Sequence, residues 1–407
     1  MIDAHLAFRC ERKRLHLGVC GSISAYKAPD LVRAWQDAGV AVSVTLTEGA
    51  RRFISSLVFA SLGAAPVYTS IFEDPSAPSP FAHLEPGRTA DAFVVAPASA
   101  SALARLACGA ADEILCCQAL AFSGMGEGRM ALAPAMNPAM WANPATRANV
   151  ALLRERGCVV VEPGVGRTAC GEEGQGRLAD VREIYLAGLR ALAPKDLAGR
   201  RVLVTLGPTR EAWDGLRFWT NPSTGVMGAS VAVAAWLRGA VVDAVCGPGT
   251  PWLPQGIARH NVTSARDMLE AASAVWPRAD VGVFTAAVAD FAPEPGASGK
   301  FKKSDAPDGF SVRFTPTPDI LKTLAADRRA DQKVIGFAAE SSGLERSVRG
   351  KLVSKKADMV VGNLLQDGFG TAEDRVFVAD SRGREEQWPS LSKPEVAWRL
   401  LSWLLSL

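Results

Sequence analysis

The sequence predicts an α/β protein of two three-layer units, each a parallel sheet wrapped by helices. Three observations carry this. The chain is 407 residues long, more than one ordinary hydrophobic core serves. Short apolar runs alternate with amphipathic stretches, the pattern of strand–helix–strand crossovers. That alternation breaks at residues 193–199, Ala-Pro-Lys-Asp-Leu-Ala-Gly, and then starts again.

In the first half, Arg14 to Val19 reads as a strand and Gly21-Ser22-Ile23-Ser24 as a tight turn. A helix is expected from about Ala25 to Ala38, because apolar residues recur at 28, 31, 32 and 35. Gly39 stops it, as a glycine just past a helix end does. Val40 to Leu46 is the next strand, and Phe93 to Ala96, Met130 to Ala133 and Val159 to Val161 are further short ones. In the second half, Arg201 to Leu206 is a strand, Met227 to Arg238 a helix and Ala240 to Cys246 a strand. Later strands are Val281 to Thr285, Val334 to Ala338 and Met359 to Val361, and Lys393 to Leu405 closes the chain as an amphipathic helix. Residues 1–14, polar and basic, read as a disordered leader, 15–193 as one domain, 194–200 as a linker and 201–407 as a second domain. Stretches 75–80 and 293–299 read as exposed loops.

Hydrophobic content of 48% and charged content of 21% describe a soluble globular protein. A net charge of +3 makes no field that argues for nucleic acid or an anionic membrane. No run of eighteen apolar residues occurs, and the basic start is not followed by the apolar core of a secretory signal. The eight cysteines form no C-x-x-C pair, which suits reduced thiols in a cytoplasm. Four histidines without paired spacing argue against structural zinc.

Ligands of open parallel sheets sit at the carboxyl ends of strands, and four segments fall there. Gly21-Ser22-Ile23-Ser24 can offer amides to a phosphate. Thr47-Glu48-Gly49-Ala50 follows the second strand, and Pro97-Ala98-Ser99-Ala100-Ser101 brings two hydroxyls to a helix start, where either serine could equally be an N-cap. In Pro134-Ala135-Met136-Asn137-Pro138-Ala139-Met140-Trp141, the Asn137 amide can grip a polar substrate group or simply open the next helix. His83 is a lone histidine beside apolar neighbours, a setting that is commonly structural. Residues 166–177 place Cys170 in a glycine-rich, charged segment with too few apolar side chains for a core element. It reads as a mobile flap carrying one thiol.

These first-half motifs resemble the flavin-containing cysteine decarboxylases over about Leu15 to Ala191. The resemblance rests on Gly-Ser-Ile-Ser-Ala-Tyr-Lys at 21–27, His83, Ala-Pro-Ala-Ser-Ala-Ser at 96–101, Ala-Pro-Ala-Met-Asn-Pro-Ala-Met-Trp at 133–141 and the Cys170 flap. It implies a Rossmann-like sheet that binds FMN through Gly21, Ser22, Ile23, Thr47, Ser99 and Ser101, the last standing where the family usually has asparagine. It implies a catalytic His83, an Asn137 that holds the substrate carboxylate, and Cys170 as the acid on the flap. The chemistry fits these residue types. Loss of CO2 from a cysteine-derived carboxylate needs an adjacent electron sink, which two-electron oxidation of the CH2–SH carbon by a flavin provides. An acid must then return a proton, and a thiol near its ordinary pKa, about 8.5, stays protonated at neutral pH. A nicotinamide dinucleotide is the rival ligand, but Gly18-Val19-Cys20-Gly21 carries no G-x-G-x-x-G.

In the second half, Asn221-Pro222-Ser223-Thr224-Gly225-Val226-Met227-Gly228 opens a helix and can bind phosphate. Asp290 ends a strand, Lys300-Phe301-Lys302-Lys303 is a short basic stretch, Thr317-Pro318-Asp319-Ile320 caps a helix, and Lys351 and Lys355 lie one turn apart. Each lysine alone could be a solvated surface charge. A carboxylate beside several lysines in a sheet crevice also suits a nucleoside triphosphate with a divalent cation. This half resembles phosphopantothenate–cysteine ligase over about Leu197 to Leu405. The resemblance implies that Ala287, Asp290, Lys300, Thr317, Pro318, Asp319, Ile320, Phe337, Lys351 and Lys355 bind CTP, that Asp290 holds Mg2+, and that Asn221 acts on an acyl-cytidylate. Thr224 and Val226 replace the usual serine and lysine. Together the two resemblances imply two Rossmann-like three-layer domains in a cytoplasmic, bifunctional enzyme of coenzyme A biosynthesis. They also imply a homo-oligomer with trimeric flavin domains, a dodecamer being the larger assembly, with each flavin site between subunits.

Overall fold

The computed structural model describes residues 2–72, 81–294, 296, 299–302, 304, 308–368 and 373–407. The expected loop at 75–80 and Lys303 therefore lie outside the described residues, as does part of 293–299. The chain folds as two compact units, one of residues 9–194 and one of residues 3–8 with 195–407.

The first unit is built on a six-stranded parallel sheet. Its strands are β1 (Arg14–Val19), β2 (Ala41–Leu46), β3 (Val67–Tyr68), β4 (Ala92–Ala98), β5 (Met130–Pro134) and β6 (Val159–Val160), in the spatial order β3-β2-β1-β4-β5-β6. The chain runs outward from β1 to β3 and returns on the other side at β4, so the strand order reverses between β1 and β4. Phe93, Val95, Met130 and Leu132 pack one face against buried residues of the helices Ala100–Cys108, Ile114–Leu120 and Pro144–Glu155. The helix Val181–Leu192 packs beside Ala28–Asp37, where Trp35 Nε1 donates to Tyr185 O at 3.0 Å. The expected helix at 25–38 is shorter. A 3-10 turn, Ile23–Lys27, precedes an α-helix that starts at Ala28, with Pro29 in its first turn. The Cys170 segment, expected as a flap, is the turn of an antiparallel hairpin of β7 (Gly164–Arg167) and β8 (Glu173–Arg177).

The second unit has an eight-stranded sheet. In spatial order its strands are Ala258–Asn261, Val241–Cys246, Arg201–Leu206, Val281–Phe284, Lys333–Glu340, Met359–Leu364, Val376–Asp380 and Glu385–Gln387. The first six run parallel. The last two pair antiparallel at one edge of the sheet. The helix Val226–Leu237 is buried along nearly its whole length, and the closing helix is Lys393–Leu404.

The amino-terminal segment is not a disordered leader. Ala4–Leu6 forms a 3-10 turn with His5, Leu6 and Phe8 all buried, and Phe8 meets Trp398 with ring centroids 6.1 Å apart. His5 Nε2 lies 2.7 Å from Trp252 O. Three apolar or amphipathic side chains among polar ones suffice to dock a short segment that would otherwise fray.

Candidate active sites at two sheet switch points

In the first unit the loops after β1, β2, β4 and β5 meet at the carboxyl edge of the sheet. Cys20 N donates to Pro97 O, Thr47 N to Val19 O, and Ala135 N to Ala98 O, all at 3.0–3.1 Å. Gly21 and Gly49 approach so closely that a Cβ at Gly21 would stand 2.9 Å from the carbonyl carbon of Gly49. Ser22, Thr47 and Ser99 each cap the element that follows, accepting from the amides of Ser24, Ala50 and Ala102. The capping alternative for Ser99 is thus realised, and Ser101 sits exposed in the first turn of the same helix. Ile23 is 60% exposed over this edge. Hydroxyls, a close backbone approach and an apolar side chain at a strand-order reversal fit a flavin mononucleotide, whose phosphate needs donors and whose ring needs apolar cover.

Asn137 realises the helix-opening alternative. Its Oδ1 accepts from the amides of Ala139 at 2.8 Å and Met140 at 3.4 Å, capping the helix Pro138–Ala142. With the oxygen so occupied, Nδ2 points outward and donates to Cys170 Sγ at 3.3 Å. The hairpin that brings Cys170 there is seated on the Asn137 loop. Met136 N donates to Gly176 O at 2.9 Å, and a Cβ at Gly176, whose φ is +157°, would come within 2.5 Å of Met136 O. Only glycine permits this approach.

Cys170 is exposed, and its thiol differs from the expectation of an ordinary pKa. Hydrogen bonds with Thr168, with Asn137 and with the Glu172 amide draw it down, outweighing a small desolvation and the Glu172 carboxylate. Thr168 Oγ1 lies 3.1 Å from Sγ and also 2.9 Å from Glu172 O. His83 lies on the turn 81–84 before the helix Glu85–Thr89, half-buried, and no hydrogen bond among the described residues joins it to Asn137 or Cys170.

In the second unit the strand order reverses between Arg201–Leu206 and Val281–Phe284, and a cleft of about 840 Å3 opens there. The structure gathers into its lining Asn221, Ala287, Asp290, Thr317, Pro318, Asp319, Ile320, Phe337, Lys351 and Lys355, all expected there. Lys300 is exposed and is not among the lining residues. The amino-terminal turn of the helix Val226–Leu237 faces the cleft, behind Gly225 at φ +71°. Asn221 Nδ2 donates to Ala287 O at 3.2 Å and Val288 O at 3.1 Å, which binds the glycine-rich turn to the strand end opposite. Thr317 likewise ties its turn to Ala289 O and Asp290 O.

Lys351 Nζ donates to Phe337 O, and Lys355 Nζ pairs with Asp319. Burial lowers the Lys351 pKa and neighbouring Lys355 lowers it further, against Asp319, Glu340 and Asp290. Burial tends to raise the Asp319 carboxyl, but Lys355, the Lys322 amide and Lys351 together hold it below the ordinary range. Sequence reasoning missed one wall of this cleft, formed by Asn363, Leu365, Asp374 and Lys393. Asn363 could have been found, because it ends a strand beside the one that carries Phe337. Lys393 carries no such signal. It opens the closing helix behind the capping box of Ser392 and Glu395, and burial lowers its pKa against Asp374.

The fold and the two crevices define a two-domain α/β enzyme with a flavin-type site in one unit and a nucleotide-type site in the other. A family model described as "Flavoprotein" matches residues 8–188, and one described as "DNA/pantothenate metabolism flavoprotein C-terminal domain" matches residues 197–407. The chain is 38% identical over 398 residues to the coenzyme A biosynthesis bifunctional protein CoaBC of Bacillus subtilis (strain 168), covering 96% of each. It is 38% identical over 408 residues to the protein of that name from Mycobacterium tuberculosis (strain ATCC 25618 / H37Rv), covering 96% of this chain and 95% of that one. Among solved structures, the C-terminal domain of a CoaBC protein is 36% identical, with 52% of this chain and 97% of that one covered and a TM-score of 0.45. The chain belongs to the family of bifunctional coenzyme A biosynthesis proteins. It is accordingly an enzyme with a flavoprotein decarboxylase unit followed by a ligase unit.

Proposed function

We propose that the second unit, 201–407, joins 4′-phosphopantothenate to L-cysteine with CTP, and that the first, 15–193, decarboxylates the product to 4′-phosphopantetheine with FMN. The observation that carries the first assignment is the 3.3 Å contact between the Asn137 amide and the Cys170 thiol, two residues 33 positions apart. A bound FMN supplies the two-electron acceptor and donor. Gly21, Ser22, Ile23, Thr47, Ser99 and Ser101 would hold it. Asn137 Nδ2 donates to the substrate carboxylate, orienting it until CO2 leaves. Cys170 Sγ–H then returns the proton, while the hairpin keeps water from the reacting carbon. His83 acts on the same substrate, contributed across a subunit boundary in a homo-oligomer of trimeric flavin domains. The exposed Ile23, Tyr26, Phe53 and Leu57, each more than half accessible, support such packing.

In the ligase unit, the phosphopantothenate carboxylate attacks the α-phosphorus of CTP and pyrophosphate leaves. The cysteine amine then attacks the acyl-cytidylate and CMP leaves. Lys351 and Lys355 and the helix amides at 225–228 offset the phosphate charge. Among the described residues no cluster of three or more potential metal ligands occurs. Asp290 would add a carboxylate to a Mg2+ held mainly by the triphosphate oxygens. Lys393 is the cation that stands in for the lysine replaced by Val226. Asn221 presents the acyl-cytidylate to the amine, and Lys300 reaches CTP from outside the cleft lining. We place these reactions in the cytoplasm, where the eight free thiols stay reduced.

Incubation with phosphopantothenate, cysteine, CTP and Mg2+, followed by mass analysis, tests the whole reading. Phosphopantetheine and CO2 are expected. A cysteine conjugate that persists in FMN-loaded protein would remove the decarboxylase assignment, and unreacted phosphopantothenate would remove the ligase assignment.

A further inference from the structure

A row of buried polar groups crosses the first sheet and ends beneath the His83 turn. His16, Thr45 and Gln118 are each fully buried. Ser43 Oγ lies 2.7 Å from His16 Nδ1, and His16 Nε2 lies 2.9 Å from Thr45 Oγ1. The Thr45 hydroxyl donates to Gln118 Oε1 at 2.6 Å, and Gln118 Nε2 donates to Ala82 O at 2.8 Å. The bonds run in one direction. Thr45 has a single hydroxyl proton and gives it to Gln118, so it accepts from His16 Nε2–H, which leaves Nδ1 to accept from Ser43. Burial, only partly offset by a side-chain hydrogen bond involving Gln118, keeps the imidazole neutral by pushing its pKa down to about 3.

The row ends on the carbonyl of the residue just before His83. On the other side of the turn, the Tyr68 hydroxyl donates to Glu85 Oε2 at 3.1 Å. Gly87 lies so close to the helix Ile114–Leu120 that a Cβ there would stand 2.6 Å from Gln118 O. His83 thus sits between two anchored flanks. Packing alone does not call for a glutamine here, because an apolar side chain of similar size would avoid its desolvation.

We propose that Gln118, backed by Thr45 and His16, is a positioning residue that sets the direction of the His83 imidazole by holding the Ala82 carbonyl. Its consequence for catalysis rests on His83 acting in decarboxylation, as proposed above. Gln118→Met keeps the length of the side chain and removes both hydrogen-bonding ends. In the full FMN-loaded protein, hydrogen exchange of the peptide 81–89 is followed by mass spectrometry, with decarboxylation kcat and KM measured beside it and ligation as the control for folding. The amides of Leu84 and Glu85, which bond to Phe81 O, should exchange faster. The kcat should fall on the order of 10-fold, with KM and ligation little changed. In a His83→Asn background the same substitution should slow nothing further. Thr45→Val, which removes the middle link, should give the same pattern more weakly, and it carries the test if Gln118→Met does not fold. Unchanged exchange at 81–89, or an equal loss of kcat with and without the imidazole, overturns the inference. Full kcat in His83→Asn alone would instead remove the catalytic reading of His83. The exchange result would then decide positioning by itself, faster exchange supporting it and unchanged exchange overturning it.

Discussion

At the scale of single residues, the thiol of Cys170 and the ammonium of Lys351 carry the sharpest expectations. Both have lowered pKa values, and both are proposed to work in the protonated form. Each contribution is therefore present at low pH and lost as pH rises through a value below the ordinary one. Alkylation of Cys170 should switch on below the pH of a free thiol, and decarboxylation should decline over the same interval. Cys170→Ser should retain FMN and stop before the last proton transfer, so normal turnover by this variant would rule out the acid role. Lys351→Met should raise the KM for CTP about 10-fold, the scale of one charge-assisted hydrogen bond. Lys351→Arg should remove the alkaline rise in that KM, and a rise that persists would assign the titration to another group. Asn221→Asp should weaken CTP binding, because a carboxylate cannot donate to Ala287 O and Val288 O, and equilibrium titration with CTP measures this.

At the scale of elements, the hairpin and the amino-terminal turn matter most. Gly176→Val would drive a Cβ into Met136 O and strain the hairpin seat by ~1–3 kcal/mol. FMN should stay bound, decarboxylation should fall, and the alkylation midpoint of Cys170 should return toward that of a free thiol as Asn137 is lost as its partner. Leu6 has no exposed surface, and its turn contacts the helices Val226–Leu237 and Lys393–Leu404. Leu6→Ala should cost the ligase unit ~2–5 kcal/mol, read as a lower thermal midpoint for CTP-protected unfolding. No change in that midpoint would mean the turn docks without stabilising.

At the scale of the whole molecule, the proposed assembly links exposed apolar surface to cofactor retention. Leu57 is 69% exposed on the helix Ser56–Ser61 of the flavin-type unit. Leu57→Asp should reduce the mass seen by light scattering and, if flavin sites lie between subunits, release FMN. A smaller assembly that keeps its full flavin absorbance would place each site within one subunit. Ligation should continue in either case, because the cleft proposed to take CTP is lined entirely by residues of the other unit.

Local chemistry was legible in the sequence. The strands Arg14–Val19 and Arg201–Leu206 follow from short apolar runs, each leading into a glycine-containing turn, and the strand-end motifs follow from the rule that parallel sheets open at their carboxyl edge. Much of the lining of the second unit's cleft could be named, because those residues lie in short motifs at strand ends. What depended on distant pairings was not legible. The antiparallel strands at 376–380 and 385–387 are defined by their partners, and the docking of residues 3–8 by helices more than two hundred positions away. The lowered Cys170 thiol and the row from His16 to Ala82 are of the same kind. Each is a property of donors, acceptors and burial that exists only once separate segments share one space, and no side chain carries it alone.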